Sequence, residues 1–573
     1  DREGDCVENL YLDLMRRWGD ALLELQVSGM GNPALDGGIL CPACKHIHGR
    51  CPDAIYGFLT LADYTGESRY AEAARALFRW QKTLLCDDGT LYNDGGSSWN
   101  GITVFAVVNL YEALVHHGHL LTAEEKETWE DRMFSMSRWI SETIVPGYEN
   151  NINYLAGSAA VQALLGRYFH LPDYLEKARE LLDYVMARFT PNGLLCGEGL
   201  PHDQVTERGC RPVDLGYNVE ESVPMLVRCA IALEDATTLE RLKEILRQQL
   251  MFLMPDGGWD NSFGTRVNKW TYWGSRTSDG CQTAYGLLAD QDPLFAEAAL
   301  RNTQLLDRCT VDGLLYGGPG YHAWGELPCV HHTFCHLNAL AAAVDAGLDG
   351  SSQRVELPMD KADQPVRYFP EIDTYKLAFG KWRATVTGYD FGVDRGHATG
   401  GTMTLLWRDG VGPVLLSSVV DYKMAEPLNM QLSLQKTRHR PLTPRVEKLL
   451  HGVRYSGCYD TRAQIQVQES SGGIDVLVRG RMVTLDQQEL PDPAGYELQY
   501  HLREDSLEIA VELWGGWQGA RLVLPVIPEQ AVVKGNPSPA EPEKIFFLSG
   551  GFSAREFILP PDGERKLTAR ILL

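Results

Sequence analysis

The spacing of the apolar residues changes once along this chain, and that change limits what the chain can fold into. Up to about residue 348 the apolar positions recur at helical spacing, in segments such as CPDAIYGFLTLADYTG, SRYAEAARALFRWQKTLL, ITVFAVVNLYEALVHHG, LEKARELLDYVMARF and HHTFCHLNALAAAVDAG, each ending at Gly, Pro or an Asp/Asn-Gly turn. The turns repeat as well: DDGTLYN at 87–93, PNGLLCG at 191–197, PDGGWDN at 255–261 and VDGLLYG at 311–317. A helix, an Asp/Asn-Gly turn and a large apolar follower, used again and again, is what stacked helical hairpins require. After about residue 365, TYKLAFGKWRATVTGYDFG, QIQVQESSGGIDVLVRGRMVTL and YELQYHLREDSLEIAVELW alternate apolar with polar side chains and are rich in β-branched and aromatic residues, the pattern of half-buried antiparallel strands. The expectation is an α+β multidomain chain: an (α/α) toroid of helical hairpins over 1–348, a linker over 349–366 and an antiparallel β-sandwich over 367–573.

With 573 residues the chain exceeds one ordinary core. It has no apolar run of about 18 residues, so no membrane span is expected. A net charge of −23 argues against nucleic acid as a partner, which needs a basic field. An anionic substrate feels the cleft rather than the total, and stays open. Thirteen cysteines, an odd number spread over a large chain, suit reduced thiols better than a disulfide framework. The start, DREGDCVENLYLDLMRRW, lacks the basic and apolar stretches of a signal peptide. A cytoplasmic setting is expected, or a secreted or periplasmic one if a signal has been removed. Oligomeric state is not legible.

Against that acidic background one stretch stands out: DGGWDNSFGTRVNKWTYWGSRTSDGCQ, 256–282, which sets Arg266, Lys269 and Arg276 among Trp270, Trp273 and other aromatics. Flat rings suit sugars and guanidinium groups suit carboxylates or sulfates, so an acidic polysaccharide or oligosaccharide is the expected partner. The alternative is that the tryptophans are core and the cations surface decoration. In LCPACKHIHGRCPDA, 40–54, Cys41, Cys44, His46 and Cys51 have metal-ligand chemistry, and Cys-x-x-Cys is half of a zinc site. No second Cys-x-x-Cys follows, so no cofactor is expected, with thiols packed under a helix start, or His48 and Arg50 reaching into the ring, as competing readings. At 147–155, GYENNINYL puts a cluster of amides just where helical patterning resumes. Asn150 and Asn151 are there either to cap the helix or to meet a carboxylate as neutral donors.

Removing the C5 proton of a uronic acid calls for such a donor, a base and an acid. His202 in GLPHDQ, Tyr217 in LGYNVEES and His397 in DRGHATGGTMTLLW supply acid/base groups. His202 and Tyr217 also have structural readings, as a solvated turn residue and a half-buried aromatic.

On these residues the chain resembles the heparinase II/III-like polysaccharide lyases, which join a helical toroid to an antiparallel β-sandwich. The resemblance runs through both halves in order. It implies Asn151, with Asn150 beside it, as the neutralising amide in ENNINYLAG, Tyr217 in GYNVEES as the catalytic tyrosine, and His397 as the β-domain histidine. Thr399 and Gly401 stand where the family's later metal-binding groups would be, so no zinc is expected there. The implied activity is β-elimination on a uronate-containing glycan such as hyaluronan, chondroitin or heparan. His331 and His332 in PCVHHTFCHLN are alternatives to His397, with His332 taken as a substrate contact. The rivals are a glycoside hydrolase on a similar ring, with carboxylate pairs such as Asp94 and Glu149 or Asp260 and Asp279, a uronyl epimerase, and a non-catalytic glycan binder.

Overall fold

The computed structural model describes residues 9–93, 99–325, 327–417, 419–420, 441–545, 549–561 and 563–573. Its first part is a ring of paired helices. An inner set comprises α2 (Ala54–Thr65), α4 (Thr103–His117), α6 (Ile152–Tyr168), α8 (Val223–Ala232), α10 (Gln282–Leu287) and α12 (Val330–Asp345). An outer set comprises α1 (Leu10–Leu25), α3 (Ser68–Gln81), α5 (Ala123–Thr143), α7 (Pro172–Met186), α9 (Ala236–Gln249) and α11 (Pro293–Arg308). Outer helices bury one apolar stripe. Inner ones are buried nearly all round, as a helix flanked by neighbours must be.

Small residues let the inner helices approach closely. A Cβ on Gly157 of α6 would lie 2.4 Å from a methyl of Val104 on α4, and one on Gly57 of α2 would lie 2.4 Å from Leu337 on α12. Each inner helix packs on the next, and α12 returns to α1 and α2, so the ring closes. Among the described residues no helix is long and apolar enough to cross a membrane.

The last ring helix ends at Asp345, and the first strand of the second part begins at Val366. Three antiparallel sheets follow. One is a five-stranded meander in chain order, from Val366–Phe369 to Gly412–Leu416. The others have six and five strands and enclose a core of alternating inward residues, for example Tyr496, Leu498, Tyr500 and Leu502 facing Leu507, Ile509, Val511 and Leu513. The meander is fixed to the ring by buried polar contacts. Lys376 Nζ meets Asp260 at 2.5 Å, Ser262 pairs with Thr404 at 2.8 Å, and Tyr389 Oη donates to the Arg211 carbonyl at 2.8 Å.

Candidate active site

The inner helices leave a cavity of about 320 Å³ at one end of the ring, lined by Arg50, Asn93, Trp99, Phe105, Asn150, Asn151, Asn153, Tyr154, Tyr217, Glu221, Arg266, Lys269, Thr277 and His331 among others. Its residues come from helix starts and the loops before them. There backbone N–H groups lack intrahelical partners, and side chains must supply them.

The start of α6 shows how. Asn151 is the N-cap residue, but its side chain makes no cap bond. Asn150 Oδ1 instead accepts the Asn151 N–H at 2.8 Å, and Glu198 Oε1 accepts the Asn153 N–H at 3.2 Å. The capping expected of one asparagine therefore falls to a glutamate from another loop, and the amide of Asn151 is left beside the cavity. His202 sits behind this wall, not in it. Its Nε2 donates to the Asn150 carbonyl, and it lines a neighbouring hollow with Glu149 and Tyr184.

Tyr217 ends a short helical turn, Leu215–Tyr217, capped by Asp214, whose Oδ1 accepts the Tyr217 N–H at 3.0 Å. The chain then makes a π-helical turn, Asn218–Ser222, before α8; such wide turns favour functional sites because they re-aim side chains. Asp214 also accepts the Arg266 N–H at 3.0 Å, which ties the tyrosine to the loop bearing the cations. As a result Lys269 Nζ donates to Tyr217 Oη at 3.1 Å and to Thr277 Oγ1 at 2.9 Å, Tyr217 and Thr277 share a hydrogen bond, and the Arg266 guanidinium lies 4.1 Å over the Tyr217 ring. Negative charge arising on the tyrosine oxygen would meet two cations.

Arg50 reaches the cavity next to this corner, over the Phe105 ring at 4.1 Å, with its nitrogens on Asp53 (2.8 Å), Asp279 (2.6 Å) and the Thr277 carbonyl (3.2 Å). The wall acids are shifted towards their protonated forms. Burial pushes Glu198 up to about 7 against the pull of Arg266, 3.5 Å away, and Asp53 likewise to about 7 against Arg50. Burial and Asp279 raise Glu221 well above the usual range. His331 is driven well below its ordinary value by burial and then by Arg50, so it faces the cavity as neutral imidazole. Arg266 stays cationic, since Tyr217 and Glu198 more than offset its burial.

Several expected site residues lie elsewhere. Trp270 and Trp273 are core, with indole N–H groups on the carbonyls of Trp259 and Tyr316, both at 2.8 Å. Arg276 is buried and donates to Tyr321 Oη at 3.1 Å. His332 packs on Trp273, donates to the Arg276 carbonyl at 3.1 Å and is lowered to about 3 by burial, leaving its neighbour His331 as the cavity residue. His48 turns away from the cavity, towards Cys329. His397 is buried in the β part, its ring nitrogens 2.8 and 3.2 Å from the carbonyls of Phe391 and Ala398, and does not line the cavity. Of the rival carboxylate pairs, Asp94 lies outside the described residues, Asp260 is held by Lys376 and Thr385, and Asp279 by Arg50.

Sequence reasoning missed Asn93, Trp99, Asn153, Tyr154, Glu198 and Glu221. Trp99, whose Nε1 donates to Tyr154 Oη at 2.9 Å, is the cavity's indole. Its signal was a tryptophan inside the Gly/Ser/Asn run before α4.

Residues 15–361 match the family model described as the ulvan lyase N-terminal domain, and residues 366–559 the one described as the ulvan lyase C-terminal domain. The chain is 36% identical over 507 residues to a broad-specificity ulvan lyase of Formosa agariphila, covering 86% of this chain and 78% of that protein. Its fold is similar to that of heparinase III, with a TM-score of 0.55 at 11% identity, covering 99% of this chain and 92% of the other.

Proposed function

Given that the chain belongs to the ulvan lyase family and is a polysaccharide lyase, we propose that it cleaves a uronate-containing polysaccharide, ulvan first among the candidates, by β-elimination in the cavity under α6 and the Tyr217 turn. The observation that carries this reading is the corner where Tyr217, Lys269, Thr277 and Arg266 meet beside the amide of Asn151. The uronate carboxylate lies against Asn151, Asn150 and Arg266, which neutralise it and hold the charge that builds as the C5 proton leaves. Tyr217 acts as the oxyanion, facing Lys269 and Arg266, and takes that proton. The C5–H electrons form the C4–C5 double bond, the C4–O4 bond breaks, and the departing O4 takes the proton from the Tyr217 hydroxyl, which restores the oxyanion. Trp99 offers the sugar a flat face. His331 serves as a neutral hydrogen-bonding partner.

The test is ultraviolet absorbance during incubation with ulvan, hyaluronan, chondroitin sulfates, heparan sulfate, alginate and pectic chains. The expected result is growth of the unsaturated-uronate signal with ulvan. Growth with another member alone would replace the substrate. New reducing ends without absorbance would mean hydrolysis and overturn the mechanism.

A further inference from the structure

Beside the cavity, and independent of the substrate reading, four potential ligand atoms converge. Cys41, Cys44 and Cys329 bring their sulfurs together with a ring nitrogen of His48, all within 4.8 Å of one another. The Cys44–Cys329 and Cys41–Cys329 sulfur separations are 3.6 and 3.9 Å, and Cys329 Sγ lies 3.5 Å from His48 Nε2. A tetrahedral zinc with bonds of about 2.3 Å to sulfur and about 2.0 Å to nitrogen needs S···S edges of about 3.8 Å and S···N edges of about 3.5 Å. The three edges just given lie within about 0.2 Å of those values, and all four atoms within 4.8 Å of one another.

The backbone is shaped to match. Cys-Pro-Ala-Cys-Lys forms a tight turn in which the Lys45 N–H donates to the Cys41 carbonyl at 3.0 Å and Lys45 takes a left-handed φ of 61°, uncommon for a residue with a side chain. The turn points the Cys44 N–H at Cys41 Sγ, 3.3 Å away, and the Val330 N–H reaches the same sulfur at 3.4 Å. Two amide donors on one sulfur suit a thiolate, the form that binds metal.

We propose that Cys41, Cys44, His48 and Cys329 bind a structural zinc ion that fastens the hairpin after α1 to the N-cap of α12. The second half of the site, which sequence spacing did not find, is a lone cysteine 281 positions from His48. Four protein ligands close the coordination shell, so the ion holds structure and takes no substrate. Arg50 and His331 lie two residues beyond His48 and Cys329, and both line the cavity. The ion would therefore set the spacing of two cavity walls. A second group within ligand reach, Asp53, Asp279 and Cys335, has Arg50 in its midst and needs no ion.

The test is elemental analysis of the full chain purified with reductant and zinc, then dialysed against a weak chelator. About one zinc per chain is expected. Cys329→Ala and His48→Ala should lose it about tenfold or more, while Cys51→Ala and His46→Ala keep it. Because loss of zinc from a misfolded ligand variant would carry no information, the wild-type chain is also loaded with cobalt, where intense visible bands of a tetrahedral thiolate complex are expected. Less than about a tenth of an equivalent of zinc in the wild-type chain, weak octahedral cobalt bands, or retention by Cys329→Ala would each overturn the proposal.

Discussion

Buried carboxylates behave in opposite ways in the two parts of this molecule. In the sandwich, Glu447 is fully buried yet surrounded by Arg445 (2.7 Å), Arg454 and Arg521 (2.8 Å). Burial alone would raise it, but the arginines reverse that and hold it down at about 2. In the cavity wall Glu198 is just as buried, with one guanidinium 3.5 Å away, and it rises to about 7. The difference is one of cation supply. The sandwich places three arginines on one acid, whereas in the wall Arg50 is shared among Asp53, Asp279 and Glu221 and Glu198 has only Arg266. The upward shifts of Glu198, Asp53 and Glu221 therefore weaken the negative charge that the wall sets against Arg50, Arg266 and Lys269.

The sharpest way to break the comparison is Tyr217→Phe, which removes only the oxygen that Lys269 and Thr277 hold. Turnover should fall about a thousandfold while the melting temperature stays within a few degrees; steady-state rates and calorimetry decide, and retained turnover would remove Tyr217 from the mechanism. Next comes Glu447→Ala, which strands three arginines and should cost about 3–5 kcal/mol in denaturant unfolding. Glu447 supports the fold above its unfolded value of 4.5, and that support disappears as pH falls through about 2.

Glu198 has the opposite sign. Its raised value favours the folded state below 4.5, and the advantage is lost as pH rises through about 7. Across that window the wild-type chain should lose on the order of 3 kcal/mol relative to Glu198→Gln, measured as the difference between two unfolding series. Parallel pH profiles would mean that Glu198 is ionised throughout. The smallest effect expected is for His397→Gln. With its ring on two backbone carbonyls and outside the cavity, this change should cost about 1–2 kcal/mol of stability and alter the rate less than about twofold; a large loss of turnover at unchanged stability would return His397 to the site.

How much of this was written in the sequence depends on which physical signal each residue carries. The change of period marked the ring and the sheets because burial on a helix stripe or a strand face forces it. ENNINYL and GYNVEES were legible because polar residues at the head of an apolar helix need a reason to be there. In 256–282 composition named the right cations but could not aim the rings. Arg266 and Lys269 reach the cavity, whereas Trp270 and Trp273, a few residues on, have their N–H groups on backbone carbonyls of the core. The adjacent Glu220 and Glu221, inside an apolar run, were a signal for buried acids that went unread. Cys329 was invisible as a partner of Cys41 because only ring closure brings them together.

That closure also bears on how the protein comes into being. Arg50 precedes α2 and His331 lies in α12, so adjoining parts of one cavity wall are made at opposite ends of the helical part. During synthesis no competent pocket can exist until α12 has left the ribosome and docked. The contact is highly non-local and is expected to form late. Prematurely ended chains, however well their early hairpins fold, would carry Asn151 and Tyr217 in an open trough and be silent. On the proposed site, activity is thus expected to report on completion of the ring.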